Sequence, residues 1–192
     1  EWKVNGESKM LDILFTDKQQ IGFTELKCDI EYRYIPKEDY QMLIDLAWRK
    51  GEHTAKKYRN MYPCIRSPYQ LAQKLGVKVV QKENGPERIF SEYYSKRREI
   101  RIFLNSINMK FVPANKNKLT STELSHVQEI FIAHELFHHL ECNEPEVGLT
   151  YKEYHVTVLK FGPLERKVGL RSLSEIGAHS FTRTYLGIED RF

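Results

Sequence analysis

His134, Glu135 and His138 stand in the order His-Glu-x-x-His, inside the run Phe131-Ile132-Ala133-His134-Glu135-Leu136-Phe137-His138-His139-Leu140. The apolar residues of that run occupy almost every direction around a helix, which predicts a buried central helix. On a helix, residues i and i+4 lie about 40° apart around the axis. His134 and His138 therefore point the same way, one turn apart, and their imidazoles can close on a single metal ion. Glu135 is offset by about 100°. It lies near the ion without having to bind it, where a base acting on water at the metal would stand. Polar side chains in an apolar surround need partners, and a metal is a good one.

A zinc site of this kind takes one more protein ligand and keeps a position open. The extended pattern with a glycine three residues, and a histidine six residues, after the second His is excluded, because those positions hold Glu141 and Glu144. The third ligand must then be a carboxylate or histidine from another element. Glu175, in Ser174-Glu175-Ile176-Gly177-Ala178-His179-Ser180-Phe181, is the best candidate, because Gly177 and Ala178 let that helix approach the motif helix closely. Glu141, Glu144 and His179 are the alternatives. His179 sits one turn after Glu175 and shares its face. It is the favoured donor to a developing oxyanion, ahead of His155, Tyr93 and Tyr94. His139 is set aside as a ligand, since it lies about 100° from His138. His126 and Cys142 are set aside as well.

The block Phe131 to His139, followed by Glu175-x-x-Ala178-x-x-Phe181, resembles the ImmA/IrrE family of metallopeptidases. The upstream segment Ser67-Pro68-x-x-Leu71-Ala72-x-x-Leu75-Gly76-Val77-x-Val79 is similar to that family's lead-in, as are the strands ending at Ile102-Phe103-Leu104-Asn105. The likeness spans about residues 65–187. It implies a zincin-like fold, Zn2+ held by His134, His138 and Glu175, and Glu135 as general base. It also implies an endopeptidase that cuts a specific protein, a repressor-type transcriptional regulator. The chain departs from the family pattern at Phe137, where Gly is frequent, at His179, where Asn or Asp is common, and at Thr182, where Ala is common.

Positioning such a site requires a sheet and at least two long helices. The expected fold class is α+β: a zincin-like core with the central motif helix on a small mixed sheet, plus an N-terminal extension. Residues 1–62 are the expected extension, strand-rich at first, and 63–192 the metallopeptidase domain. In the extension, Leu11–Phe15 and Cys28–Ile35 alternate imperfectly and read as strands. Asp39 to about Asn60 reads as an amphipathic helix. Ser67-Pro68 is a helix start and Gly76 a stop. Val77–Val80, Arg88–Tyr94 and Glu99–Leu104 read as strands, the last with Ile100, Ile102 and Leu104 on one face. Thr120 and Glu123 offer a capping box for a helix running to about Cys142. Tyr154–Phe161 reads as a strand. A last helix starts at Ser172 or Ser174 and ends at Gly187.

The 192 residues are 41% hydrophobic and 12% aromatic, enough for a sizeable core. The formal net charge is +4, with 30 basic and 26 acidic residues interspersed. No basic stripe or helix-turn-helix pattern appears, which sets aside a DNA-binding regulator. No apolar run approaches the ~18 residues of a membrane helix. No signal-peptide pattern opens the sequence, which begins at Glu1 rather than Met, so location is read from the cysteines. Cys28, Cys64 and Cys142 are odd in number and form no CxxC pair, pointing to a reducing cytoplasm. A protein that holds a structural metal and sequesters a regulatory partner is the alternative function. Glu135 argues against it, because a closed structural site has no use for a base.

Overall fold

Asp17 opens the first helix, α1, over Lys18–Cys28. Its carboxylate accepts hydrogen bonds from the backbone N–H of Gln19 at 2.7 Å and Gln20 at 3.4 Å, donors that every helix start leaves free. The computed structural model describes residues 16–86, 89–115 and 126–188. It corrects the expected strand at Cys28–Ile35. The chain leaves α1 at Cys28 and forms a 3-10 turn at Tyr32–Tyr34. Local bonds win over a sheet there. Asp29 Oδ1 accepts the Glu31 N–H at 2.9 Å, and Tyr32 stacks on Tyr40 with ring centroids 5.6 Å apart. The expected strand at Leu11–Phe15 and the capping box at Thr120–Glu123 lie outside the described residues.

The long amphipathic helix, α2, runs Tyr40–Met61. Helix α3, Pro68–Lys74, starts as expected, with Ser67 Oγ accepting the Gln70 N–H. A three-stranded mixed sheet follows, of β1 (Lys78–Lys82), β2 (Ser91–Tyr94) and β3 (Glu99–Phe103), in the order β1-β3-β2. β1 is parallel to β3, with Val79 opposite Ile100. β2 is antiparallel to β3, with Tyr93 opposite Ile100. The charged turn Ser95–Arg97 joins β2 to β3. Three short helical pieces, Leu104–Ser106, Ile107–Phe111 and Val112–Asn115, follow β3.

The motif helix, α4, spans Val127–Asn143. A hairpin of β4 (His155–Phe161) and β5 (Leu164–Gly169) precedes the last helix, α5, at Ser172–Leu186. The sequence reading assigned no element to β5, whose residues are mostly polar and exposed. The architecture is α+β. Among the described residues no helix is long and apolar enough to cross a membrane.

Two apolar clusters hold these elements. One gathers Phe131, Leu136, Phe137 and Leu140 of α4 with Ile100 and Ile102 of β3, Leu71 of α3 and Phe181 of α5. The other gathers Leu43, Ile44 and Ala47 of α2 with Leu26 of α1 and Leu173 and Ile176 of α5. Each large side chain fully buried in this way stabilises the fold by about 1.5–3 kcal/mol. α2 also sends Ala55 and Tyr58 into the first cluster, so the motif helix and the N-terminal region share a core. Helix α5 lies between the clusters, and its glycine sets the spacing. A Cβ on Gly177 would meet the Phe137 ring at 2.7 Å, and a Cβ on Gly51 of α2 would sit 2.1 Å from the Gly177 carbonyl oxygen. Only hydrogen atoms at these two positions allow α2, α5 and α4 to approach as they do.

Candidate metal centre

His134 and His138 project from one face of α4, and Glu175 meets them from the first turn of α5. His134 Nε2 lies 3.2 Å from Glu175 Oε2. His138 Nε2 lies 3.6 Å from Glu175 Oε1 and 3.3 Å from His134 Nε2. One ligand atom from each of the three residues falls within 4.8 Å of the others. Two ring nitrogens face each other across this point, and such lone pairs need a proton or a cation between them. Nitrogen and carboxylate oxygen are suitable zinc donors. The residues therefore fit a bound divalent metal, and the structure brings together the three that the sequence singled out.

The charge around the point is negative. Burial opposes a proton on His138, yet Glu175, Glu141 and Glu135 push its pKa up to about 9. Burial also opposes the charge on Glu175, but His138 and His134 hold its carboxyl well below the usual carboxylate range. Three carboxylates around two imidazoles make a site that calls for positive charge.

Glu135 is 6% exposed, and its Oε1 accepts a 2.7 Å hydrogen bond from Ser91 Oγ on β2. Glu141, weighed as a third ligand from sequence, instead stands behind His138, with Oε2 3.4 Å from Nδ1. Burial works to raise its pKa, but His138 and the Thr150 N–H hold it down. His139 is wholly buried, with Nδ1 2.8 Å from the Tyr93 hydroxyl and 3.1 Å from Asn143 Nδ2. Its pKa is pushed down to about 4 by burial and by Arg98.

His179 packs its ring on that of His134, centroids 4.9 Å apart, and its Nε2 faces Glu25 Oε1 of α1 at 3.5 Å. Burial lowers its pKa against the pull of Glu25. Among the described residues nothing bonds to the buried His134 Nδ1, and the His179 ring packs against that imidazole.

A cleft of about 360 Å³ opens over the three candidate ligands and Glu135, walled by residues 89–93. Of the four donors weighed for the oxyanion, only Tyr93 lines it. His179 lies behind His134, Tyr94 is covered by the Arg101 guanidinium at 4.6 Å, and His155 begins β4 opposite Gly169. Among the described residues the cysteines form no disulfide, and Cys64 and Cys142 are exposed.

Ser91 and Glu25 are partners that sequence reading missed, and Glu141 was weighed only as a third ligand, not as the partner of His138 Nδ1. Glu141 carried a local signal, since i and i+3 are neighbours on a helix. Ser91 and Glu25 are brought in by tertiary packing and carried none.

Comparison with known proteins returns no match: no family model fits the chain, and no curated protein or solved structure is detectably similar to it.

Proposed function

We propose that the chain is a zinc-dependent endopeptidase that cuts a specific protein. The observation that carries this reading is the convergence of His134, His138 and Glu175 at the floor of a cleft with Glu135 beside them. The resemblance of the motif residues within 65–187 to the ImmA/IrrE pattern supports it, and so does the position of a carboxylate, Glu175 on α5, as third ligand.

His134 and His138 would hold the ion through Nε2 and Glu175 through its carboxylate. Zinc, when bound, supplies a Lewis acid that polarises the scissile carbonyl and acidifies an attacking water. Glu135 takes the proton of that water and returns it to the departing amide nitrogen. With Oε1 held by Ser91, Oε2 is the oxygen assigned to this transfer. Of the weighed donors, Tyr93 is the one assigned to negative charge growing on the carbonyl oxygen, since it lines the cleft; its hydroxyl, 2.8 Å from His139 Nδ1 and accepting from Asn143 Nδ2 at 3.0 Å, would have to turn from that ring to do so. His179 is assigned to holding the His134 ring.

The substrate enters as an extended segment. Among the described residues no strand pairs with the outer edge of β2, and residues 89–93 form the cleft wall. A peptide adding to that edge gains main-chain hydrogen bonds and passes over the candidate ligands. A repressor-type regulator is the protein class proposed as substrate.

Two measurements test the reading. Anomalous scattering from crystals grown with zinc should place one ion between His134, His138 and Glu175, with a coordination position left open. A fourth protein ligand on that ion would rule out the hydrolytic reading. A repressor-type regulator incubated with the zinc-loaded protein should yield two fragments by mass spectrometry, and Glu135→Gln should yield none. Equal survival of the regulator with both proteins would reject it as the substrate.

A further inference from the structure

The two candidate histidine ligands are supported in different ways. Among the described residues nothing bonds to Nδ1 of His134, whereas Nδ1 of His138 has a carboxylate behind it. That carboxylate, Glu141, is only 4% exposed and has three partners. Its Oε2 lies 3.4 Å from His138 Nδ1. Its Oε1 accepts the Thr150 N–H at 2.9 Å and the Ser174 hydroxyl at 3.1 Å. Ser174 is the residue before Glu175. One buried group is thus bonded to one candidate ligand and to the neighbour of another, on two different helices.

The geometry points to Glu141 as the positioning residue of the metal centre, clamping His138 on α4 and the first turn of α5 so that Nε2 and the Glu175 carboxylate meet at one point. By accepting a hydrogen bond from His138 Nδ1–H, it leaves the Nε2 lone pair for the ion and fixes the plane of the ring. By holding Ser174, it fixes how far α5 stands from α4. The inference rests on the metal-centre reading. The competing role for the same residue is an anchor for the loop after α4, through Thr150 alone.

Glu141→Gln separates the two roles. Its amide oxygen still serves Thr150 and Ser174, but its amide NH2 now faces Nδ1, where two donors oppose each other. The loop anchor survives and the clamp on His138 does not. Metal-free full-length protein should be titrated with zinc alone against a chromophoric chelator, as wild type, Glu141→Gln, Ser174→Ala and Glu175→Gln. The metal-free melting temperature should be recorded for each.

Wild type should bind one zinc. Glu141→Gln should still bind one, about 10- to 100-fold more weakly at a temperature where the metal-free protein is folded, while its metal-free melting temperature falls somewhat because Glu141 and His138 attract each other before any ion binds. Ser174→Ala should weaken binding in the same direction by less. Wild-type affinity in Glu141→Gln overturns the proposal, as does a loss of affinity seen only at temperatures where the metal-free variant is partly unfolded. Should Glu141→Gln fail to fold, unchanged zinc affinity in Ser174→Ala overturns it. Failure of the metal-centre reading looks different: wild type then binds no zinc, or Glu175→Gln binds as tightly as wild type, and the proposal falls with it.

Discussion

Ser91 Oγ donates a 2.7 Å hydrogen bond to Glu135 Oε1, from the edge strand β2 to the motif helix α4. The next contact along the same strand face is Tyr93 with His139, four residues further along the helix. Two residues of strand advance about 6.6 Å and one turn of helix about 5.4 Å. The two periods nearly match, so β2 lies along α4 with successive inward residues on successive turns. Ser91→Ala removes the bond that fixes the proposed base while leaving the candidate ligands in place. The expected result is a fall in kcat of about 10-fold, smaller than the roughly 10²- to 10⁴-fold loss expected for Glu135→Gln. Zinc content should be unchanged in both variants. Steady-state kinetics on the cleaved regulator, beside metal analysis, check this; a kcat for Ser91→Ala equal to wild type counts against the assigned role.

The spacing of three helices depends on Gly51 and Gly177. Replacing a helical glycine with alanine usually gains about 1 kcal/mol of helix propensity. Here the added Cβ would sit 2.1 Å from a carbonyl oxygen at position 51, and 2.7 Å from the Phe137 ring at position 177. An aromatic ring can turn aside, but a backbone carbonyl moves only with its helix. Gly51→Ala should therefore cost about 3 kcal/mol or more, and Gly177→Ala about 1–3 kcal/mol. Urea denaturation of both variants measures the costs. Equal stability to wild type in Gly51→Ala would mean that α2 and α5 are not this close.

These glycines also mark what the sequence made legible. His134, Glu135 and His138 could be placed because their spacing is set by one helix, and that helix is apolar on nearly every side. Glu175 could be placed because Gly177 and Ala178 advertise a close helix contact. Gly51 could not be paired with Gly177 from sequence, since they meet only in the tertiary fold. The segment after α1 misled for a related reason. Cys28–Ile35 alternates enough to suggest a strand, but Asp29 and the Tyr32–Tyr40 stack satisfy it locally. β5 showed no apolar face to read, because its side chains are mostly exposed. Ser91 looked like any strand serine until β2 was laid on α4.

Asp29 has a second task, since its Oδ2 accepts the Ser172 N–H at 2.8 Å at the start of α5. No side chain caps that helix at the position before it. Asp29→Ala should cost about 1–2 kcal/mol, the usual loss of a helix cap. It should also loosen the turn that carries Glu175. Zinc affinity should fall along with stability, whereas Asp17→Ala, which loses the cap of α1, should lower stability with less effect on zinc. Paired denaturation and chelator titrations distinguish the two, and identical zinc affinity in Asp29→Ala and wild type would dissociate the cap from the site.

Metal removal should act on stability as well as on activity. A ligand that binds only the folded state adds about 2.7 kcal/mol at a free concentration 100-fold above its Kd. Wild type should therefore melt at a higher temperature with zinc than after treatment with a chelator. His134→Ala and Glu175→Gln should lose most of that difference. Calorimetry with and without the chelator measures it, and a zinc-dependent shift kept in full by both variants would place the ion elsewhere.

Tyr58 on α2 gives the pH dependence its sign. It is 3% exposed, and burial, with Glu144, Tyr62 and Glu146 nearby, pushes its pKa up to about 12. An unfolded tyrosine titrates near pH 10. The folded state therefore holds the proton more tightly, so this contribution is fully present below about pH 10 and is lost as pH rises toward 12. A shift of about two units corresponds to about 3 kcal/mol at most. Lysine ion pairs such as Lys57–Glu146 weaken in the same range, so the comparison must be with Tyr58→Phe, which keeps them. Between pH 9 and 11.5 the stability of wild type should fall more steeply than that of Tyr58→Phe, and absorbance at the tyrosinate band should show one fewer late-titrating phenol in the variant. Parallel stability curves for the two proteins would show that Tyr58 ionises as freely in the fold as in the open chain.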